Sequence, residues 1–197
     1  EKTFAVKNGE AASGWGIRQS EALCDTPHLR LDREFVATPS RPAGISWLVV
    51  HRRAAVVVAP RTPDGAYLLI RQERVAVRRE LWEFPAGQID GEVNEGTIRE
   101  TALRELGEET GRECRGELTP LGYFFSSPGF TDECAHLFLA TEVVPRAEGC
   151  AHDEHESILE VGKFSPRQWS DLIAQGEIVD ANTLAVFARL QARGIFS

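Results

Sequence analysis

The most informative part of this chain is the octapeptide RELGEETG at residues 104–111. The apolar stripe around it and the glycine that closes it predict an α-helix over residues 97–110. With 3.6 residues per turn, Glu105 and Glu109 lie one above the other on such a helix, and Glu108 lies beside them. Three carboxylates therefore share one arc about 100° wide.

Like charges at this spacing repel one another and destabilise a helix by roughly 0.2–0.5 kcal/mol per pair, so the cluster needs a compensating cation. Hard divalent cations such as Mg²⁺ prefer oxygen ligands, and a carboxylate cluster is a typical site for them. The alternative is a solvated acidic helix face on which Arg104 provides ordinary charge compensation. The spacing alone leaves both interpretations open.

The composition is that of a folded, acidic chain. Hydrophobic residues make up 42% of the 197 residues and charged residues 26%, which excludes general disorder. The formal net charge of −8 argues against a dedicated nucleic-acid-binding protein, which needs a basic patch. The longest apolar run, residues 54–59, is too short to cross a bilayer, and no secretion signal is predicted. Because the four cysteines are scattered, we expect reduced thiols and a cytoplasmic protein.

Strands interleaved with a few helices complete the pattern, which favours a mixed sheet with helices packed on it. Alternating and β-branched runs predict the strands, and Pro, Gly and capping residues mark the other helices. The predicted strands are residues 29–38, 45–51, 54–59, 67–71, 118–125, 136–144 and 159–164, with turns at 40–44 and 62–65. The other predicted helices are 166–176, capped by Ser165, and 181–192.

Gly87 and residues 104–111 together resemble the Nudix box, G-x5-E-x7-R-E-U-x-E-E-x-G-U, where U is aliphatic. The second half matches at every defined position except the last, where Arg112 replaces the aliphatic residue. Three additional residues separate Gly87 from this second half, so the first glutamate of the box is either Glu92 or Glu95. The resemblance implies an α+β fold, a Nudix-type α/β/α sandwich with a mixed β-sheet.

Four further segments resemble one branch of that family, the ADP-ribose pyrophosphatases and related nucleoside diphosphate sugar hydrolases. They are LWEFPAG at residues 81–87, RQER at 71–74, SPGFTDE at 127–133 and the stretch 176–183 before the last helix. The resemblance implies two domains. Residues 1–50 would form an N-terminal β extension for substrate recognition and dimer contacts, and residues 51–197 the hydrolase domain. We therefore expect a homodimer.

The resemblance also implies a metal site for Mg²⁺ or Mn²⁺. Its ligands would be the carbonyl of Ala86 and the carboxylates of Glu105, Glu108 and Glu109. Arg104 would have a catalytic role by holding the helix against the preceding loop, through Glu92 or Glu95.

Four residues are candidates for substrate binding, and each has a simpler structural interpretation. Trp47 would stack on the base, since a flat ring with a polar edge suits that task, or it is a core aromatic. Arg74 would bind a phosphate or fix Glu83 near the base, or the two form an ordinary ion pair between strands. Glu133 would contact the substrate or cap a loop.

The catalytic base would come from the acidic segment HDEHE at residues 152–156, as either Glu154 or Glu156. The alternative for this segment is a solvated charge run. The implied activity is Mg²⁺-dependent hydrolysis of the diphosphate linkage of ADP-ribose or a similar nucleoside diphosphate sugar, giving AMP and ribose 5-phosphate from ADP-ribose. Alternatives are a non-catalytic nucleotide-sugar sensor and a hydrolase of GDP-mannose or NADH. We expect neither nucleic acid nor membrane as a partner.

Overall fold

The computed structural model describes residues 13–147 and 157–196. Internal contacts divide the chain into two units. The first unit comprises Glu1–Ala54 and Phe125–Cys134, and the second comprises Ala55–Phe124 and Ala135–Ser197. The division into residues 1–50 and 51–197 remains a prediction. Within the described ranges, no helix combines the length and the apolar character needed to cross a membrane.

The first unit contains an antiparallel sheet with the strand order β1-β2-β3. Its strands are β1 (Gly16–Asp25), β2 (Arg30–Thr38) and β3 (Arg41–His51). The sequence does not predict β1, because its apolar residues have no regular alternation. The predicted turn at 40–44 is wrong. The chain reverses at Pro39 and Ser40, and the residues that follow already belong to β3.

Strand β2 buries its polar face. Asp32 is 4% exposed and Glu34 is 6% exposed, whereas Phe35 is 37% exposed. Successive side chains of a strand point to opposite faces, so the two acids share one face of the sheet. A loop of the same unit, residues 125–134, lies along β3 and accepts a hydrogen bond of 2.8 Å from the Val50 N–H.

The second unit contains the remaining strands and the helices. The strands are β4 (Ala55–Pro60), β5 (Tyr67–Arg74), β6 (Arg79–Glu83), β7 (Ala86–Gln88), β8 (Arg112–Cys114), β9 (Leu118–Phe125), β10 (Cys134–Ala140), β11 (Val143–Pro145) and β12 (Ile158–Phe164). The helices are α1 (Glu95–Thr110), α2 (Pro166–Ala174) and α3 (Ala181–Ala192). The predicted strand at 136–144 is thus two strands, β10 and β11, and β5 extends beyond its predicted end.

Both strand orientations occur in the main sheet of this unit. Its order is β7-β4-β10-β9, with β4 parallel to β10 and antiparallel to β7. A second, antiparallel sheet has the order β12-β5-β6, and β8 pairs with β11. The predicted mixed sheet is confirmed.

The main core lies between the sheets and the helices α2 and α3. Trp169 of α2 is fully buried, and its ring centroid lies 4.9 Å from that of Tyr67 and 5.0 Å from that of Phe84. Val57 belongs to this core, so Val56 and Val58 point to the opposite face of β4, where α1 packs. Helices therefore cover both faces of the sheet, which is the predicted sandwich.

Helix α1 has well-defined ends. At its start, Asn94 Oδ1 accepts a hydrogen bond from the Thr97 N–H (3.1 Å), and Thr97 Oγ1 accepts one from the Asn94 N–H (3.0 Å). This capping box places the first residue at Glu95, slightly before the predicted start. At its end, Gly111 adopts a left-handed conformation with φ 63° and donates to the Gly107 carbonyl, as predicted.

The other helices begin at side chains that cap them. Ser165 Oγ accepts from the Gln168 N–H, which confirms the predicted start of α2, although the helix ends at Ala174 rather than at Gly176. Asp180 accepts from the Thr183 N–H and caps α3.

Candidate active site

Helix α1 buries two of its three clustered carboxylates. Glu105 is 4% exposed and Glu109 is 2% exposed, whereas Glu108 is half-buried. Leu106, which is fully buried, lies on the same side of the helix. Burying a carboxylate costs free energy unless it is paired, so a merely solvated acidic face would not have this arrangement. The structure therefore argues against that interpretation.

Both buried carboxylates reach the short strand β7. The backbone N–H of Ala86 donates a hydrogen bond of 2.9 Å to Glu109 Oε2. A Cβ atom placed on Gly87 would lie 1.8 Å from Glu105 Oε1, so the Glu105 carboxylate occupies the space that a side chain at position 87 would need. Glycine at this position is what allows α1 and β7 to come together.

Arg104 pairs with acids of its own helix. Its Nη2 lies 2.6 Å from Glu105 Oε1, and its Nη1 lies 2.5 Å from Glu108 Oε2. The structure corrects the prediction that Arg104 pairs with Glu92 or Glu95, because its guanidinium contacts Glu105 and Glu108. Glu92 precedes α1 and Glu95 is its first residue, and both are exposed. The guanidinium instead compensates part of the negative charge of the cluster.

The segment before β7 is held by α3. The Phe84 N–H donates a hydrogen bond of 3.0 Å to Thr183 Oγ1. The N–H and the hydroxyl of Thr183 both donate to Asp180 Oδ2, at 2.8 and 2.9 Å. The sequence predicted no role for Asp180 and Thr183. The three-residue spacing of an N-cap aspartate and a threonine is the signal that could have identified them.

Arg74 and Glu83 form a salt bridge between β5 and β6, with 2.9 Å from Nε to Oε1 and 2.5 Å from Nη2 to Oε2. Burial raises the pKa of the Glu83 carboxyl, and the Arg74 guanidinium opposes that rise. Hydrogen bonds from Arg74 to Glu83 raise the pKa of Arg74, and the charges of Asp180 and Glu109 act in the same direction. The half-buried guanidinium is therefore within electrostatic reach of the α1 carboxylates.

The other two predicted substrate residues belong to the first unit. Trp47 donates a hydrogen bond of 2.8 Å from Nε1 to the Gly129 carbonyl, and it is 50% exposed, so it is not a core aromatic. Glu133 accepts a hydrogen bond from Ser126 Oγ (2.7 Å) and pairs with Arg52 (2.9 Å). The substrate-binding roles of Trp47 and Glu133 remain predictions. Glu154 and Glu156 lie outside the described residues.

The residues of α1 and β7 fit a hard divalent cation. Glu105, Glu108 and Glu109 offer carboxylate oxygens, and Ala86, whose N–H already contacts Glu109, offers a carbonyl oxygen. Two of the three carboxylates are buried beside β7, and Arg104 contacts Glu105 and Glu108. This donor set is what Mg²⁺ or Mn²⁺ prefers.

Comparisons with known proteins agree with this geometry. Residues 50–186 match the NUDIX domain family. The chain is 36% identical over 161 residues to an ADP-ribose pyrophosphatase of Bacillus subtilis (strain 168), covering 81% of this chain and 83% of that protein. It is 33% identical over 146 residues to a GDP-mannose pyrophosphatase of Escherichia coli (strain K12), covering 70% and 72%. A crystal structure of an ADP compounds hydrolase superposes with a TM-score of 0.73, covering 94% of this chain and 99% of that chain; at 20% identity this supports the fold alone.

The close approach of Gly87 to Glu105 generates a prediction. In Gly87→Ala the methyl group displaces the Glu105 carboxylate, which ends a flexible side chain, so the fold survives while the acid cluster is disturbed. We expect Mg²⁺ affinity, measured by calorimetric titration, to fall by about 10–100-fold. Gly16→Ala is the matched control, because no atom lies within 4 Å of a Cβ at that strand position. Unchanged Mg²⁺ affinity in Gly87→Ala would contradict the assignment.

Proposed function

This chain belongs to the Nudix family, and we propose that it catalyses Mg²⁺-dependent hydrolysis of the diphosphate linkage of ADP-ribose or a similar nucleoside diphosphate sugar. From ADP-ribose the products would be AMP and ribose 5-phosphate. The observation that supports this proposal best is the pair of buried carboxylates, Glu105 and Glu109, held against Ala86 and Gly87. The relative from Bacillus subtilis, an ADP-ribose pyrophosphatase, favours ADP-ribose among the candidate substrates.

The metal would be held by Ala86, Glu105, Glu108 and Glu109. When bound, Mg²⁺ or Mn²⁺ neutralises charge on the diphosphate oxygens and acidifies a coordinated water. The chain itself sets the geometry of these ligands. The Ala86 N–H orients Glu109, and Arg104 holds Glu105 and Glu108 in place.

Arg74 is the residue that we assign to phosphate binding. Its guanidinium is half-buried and remains charged at all relevant pH values, because its hydrogen bonds to Glu83 favour the protonated form. Glu83 is 1% exposed and holds the guanidinium at two points, which limits its rotation. An arginine fixed in this way can orient a diphosphate at little entropic cost. Glu83 is thus a positioning residue for Arg74.

We assign base recognition to the N-terminal part of the chain. Trp47 is 50% exposed, and the hydrogen bond from its Nε1 to Gly129 orients the ring, which suits stacking on a base. In the same unit, Ser126 and Arg52 hold the carboxylate of Glu133. In this proposal residues 1–50 also supply dimer contacts, residues 51–197 the hydrolase, and the protein acts as a cytoplasmic homodimer.

GDP-mannose is the second candidate substrate, because a relative of similar identity is a GDP-mannose pyrophosphatase. The bases of ADP-ribose and GDP-mannose differ, whereas the diphosphate is shared. The carboxylates of α1 therefore serve either substrate, and the choice between them depends on the residues that contact the base and the sugar.

The proposal is tested by removing one buried charge. Glu109→Gln keeps the shape of the side chain but removes a metal-binding charge, so we expect Mg²⁺-dependent release of AMP from ADP-ribose, followed by liquid chromatography, to fall at least about 100-fold. Glu100→Gln is the matched control on the same helix, where the side chain is exposed, and it should keep wild-type turnover. GDP-mannose and NADH are assayed in the same way, so that the three compounds form a substrate panel.

Two results would refute the proposal. Wild-type protein that binds ADP-ribose but does not cleave any member of the panel with Mg²⁺ would be a nucleotide-sugar sensor. Equal turnover of Glu109→Gln and wild type would exclude the α1 carboxylates from the reaction.

The general base is proposed to be Glu154 or Glu156. Replacing the base by Gln should lower kcat by about 10²–10⁴-fold and remove the acidic limb of the pH–rate profile, since a carboxylate base is inactive when protonated. Replacing the other residue should leave kcat and the acidic limb of the pH–rate profile unchanged. If both variants keep the acidic limb and the turnover of the wild type, the base does not come from this segment.

A further inference from the structure

The first unit contains its own cluster of metal-ligand side chains. Asp32 and Glu34 of β2 and His51 of β3 each offer one ligand atom, and these atoms all lie within 4.8 Å of one another. The register places them together, because His51 pairs with Arg30 and side chains at every second position of β2 share a face. We propose that this cluster binds a divalent transition-metal ion, with Zn²⁺ as the best match.

Burial and charge support a cation at this place. Glu34 is 6% exposed, and in the described part of the chain its only charged partner is His51, whose Nε2 lies 3.4 Å from Glu34 Oε1. Asp32 is 4% exposed and is already paired with Arg30. His51 is shared between Glu34 and Asp132, so even a protonated imidazole leaves the group with excess negative charge. The charged partner of Glu34 is thus a titratable imidazole, and a bound dication would place a permanent positive charge beside it.

The orientation of His51 is that of a metal ligand. Its Nδ1 lies 2.7 Å from Asp132 Oδ2, and Asp132 is held in turn by the Arg52 N–H (3.1 Å). A carboxylate on one ring nitrogen fixes the imidazole so that the other nitrogen points at the metal. Here Nε2 points at Glu34 and at Asp32 Oδ2, which is 4.0 Å away. One imidazole and two carboxylates suit Zn²⁺, whereas Mg²⁺ prefers oxygen ligands alone.

Arg30 competes with a metal for Asp32. Its Nε and Nη2 lie 2.7 and 3.0 Å from the two carboxylate oxygens, and Ser20 Oγ donates to Oδ2 at 2.8 Å. The Arg30 side chain is 46% exposed, so it can move into solvent when a cation arrives. Removing Arg30 should therefore strengthen metal binding, which a chance surface site would not show.

The test is a calorimetric titration of Zn²⁺ into the full chain in excess Mg²⁺, which occupies oxygen-only sites. We expect the wild type to bind one more equivalent of Zn²⁺ than His51→Gln. His28→Gln, which changes an exposed histidine of the same unit, should keep that equivalent. The Zn²⁺ affinity of this site should rise several-fold in Arg30→Gln and fall by about 10–100-fold in Asp132→Asn.

Glu34→Gln provides a second variant in case His51→Gln does not fold, which a thermal melt by circular dichroism would reveal. It should also lose the Zn²⁺ equivalent while keeping a cooperative melt. Zinc anomalous density among Asp32, Glu34 and His51 would support the proposal directly. Zn²⁺ titrations that coincide for wild type, His51→Gln and Glu34→Gln would overturn it. So would weaker Zn²⁺ binding by Arg30→Gln. Neither result bears on hydrolysis by the second unit.

Discussion

The contact between two buried carboxylates of α1 and the backbone of β7 is the constraint on which the site in the second unit depends. These two carboxylates are almost completely buried, which is unfavourable for a charged group unless it is paired. The Ala86 N–H, the empty space at Gly87 and the Arg104 guanidinium offset part of that cost. The convergence of carboxylate oxygens of α1 on the backbone of β7 is the physical reason to expect a divalent cation there.

The neighbouring contacts keep that arrangement in register. Thr183 holds the backbone at Phe84, and Arg74 holds the side chain at Glu83, so the segment between β6 and β7 is attached to α3 and to β5. A shift of β7 along α1 would break these contacts together. The α1 carboxylates and the backbone of β7 are thereby positioned by helices and strands rather than by a loop, as a precise site requires.

Much of the second unit could be predicted, because its signals are local. The acid arc of α1, its end at Gly111 and the start of α2 at Ser165 follow from helical periodicity and capping. The partners of Arg104 are also local, since Glu105 and Glu108 belong to the same helix. The contact of Glu109 with Ala86 and that of Thr183 with Phe84 join residues that only the tertiary fold brings near. In the first unit, apolar alternation located β2 but not its buried face, which is the polar one with Asp32. On that face Asp32 pairs with Arg30, and Glu34 lies 3.4 Å from His51.

A divalent cation at the α1 carboxylates can be detected by diffraction from crystals soaked in Mn²⁺, recorded at an energy where manganese scatters anomalously. We expect an anomalous peak within coordination distance of the Glu105 and Glu109 carboxylates and the Ala86 carbonyl. A well-ordered crystal without manganese at that position, or with these two carboxylates turned toward solvent, would contradict it.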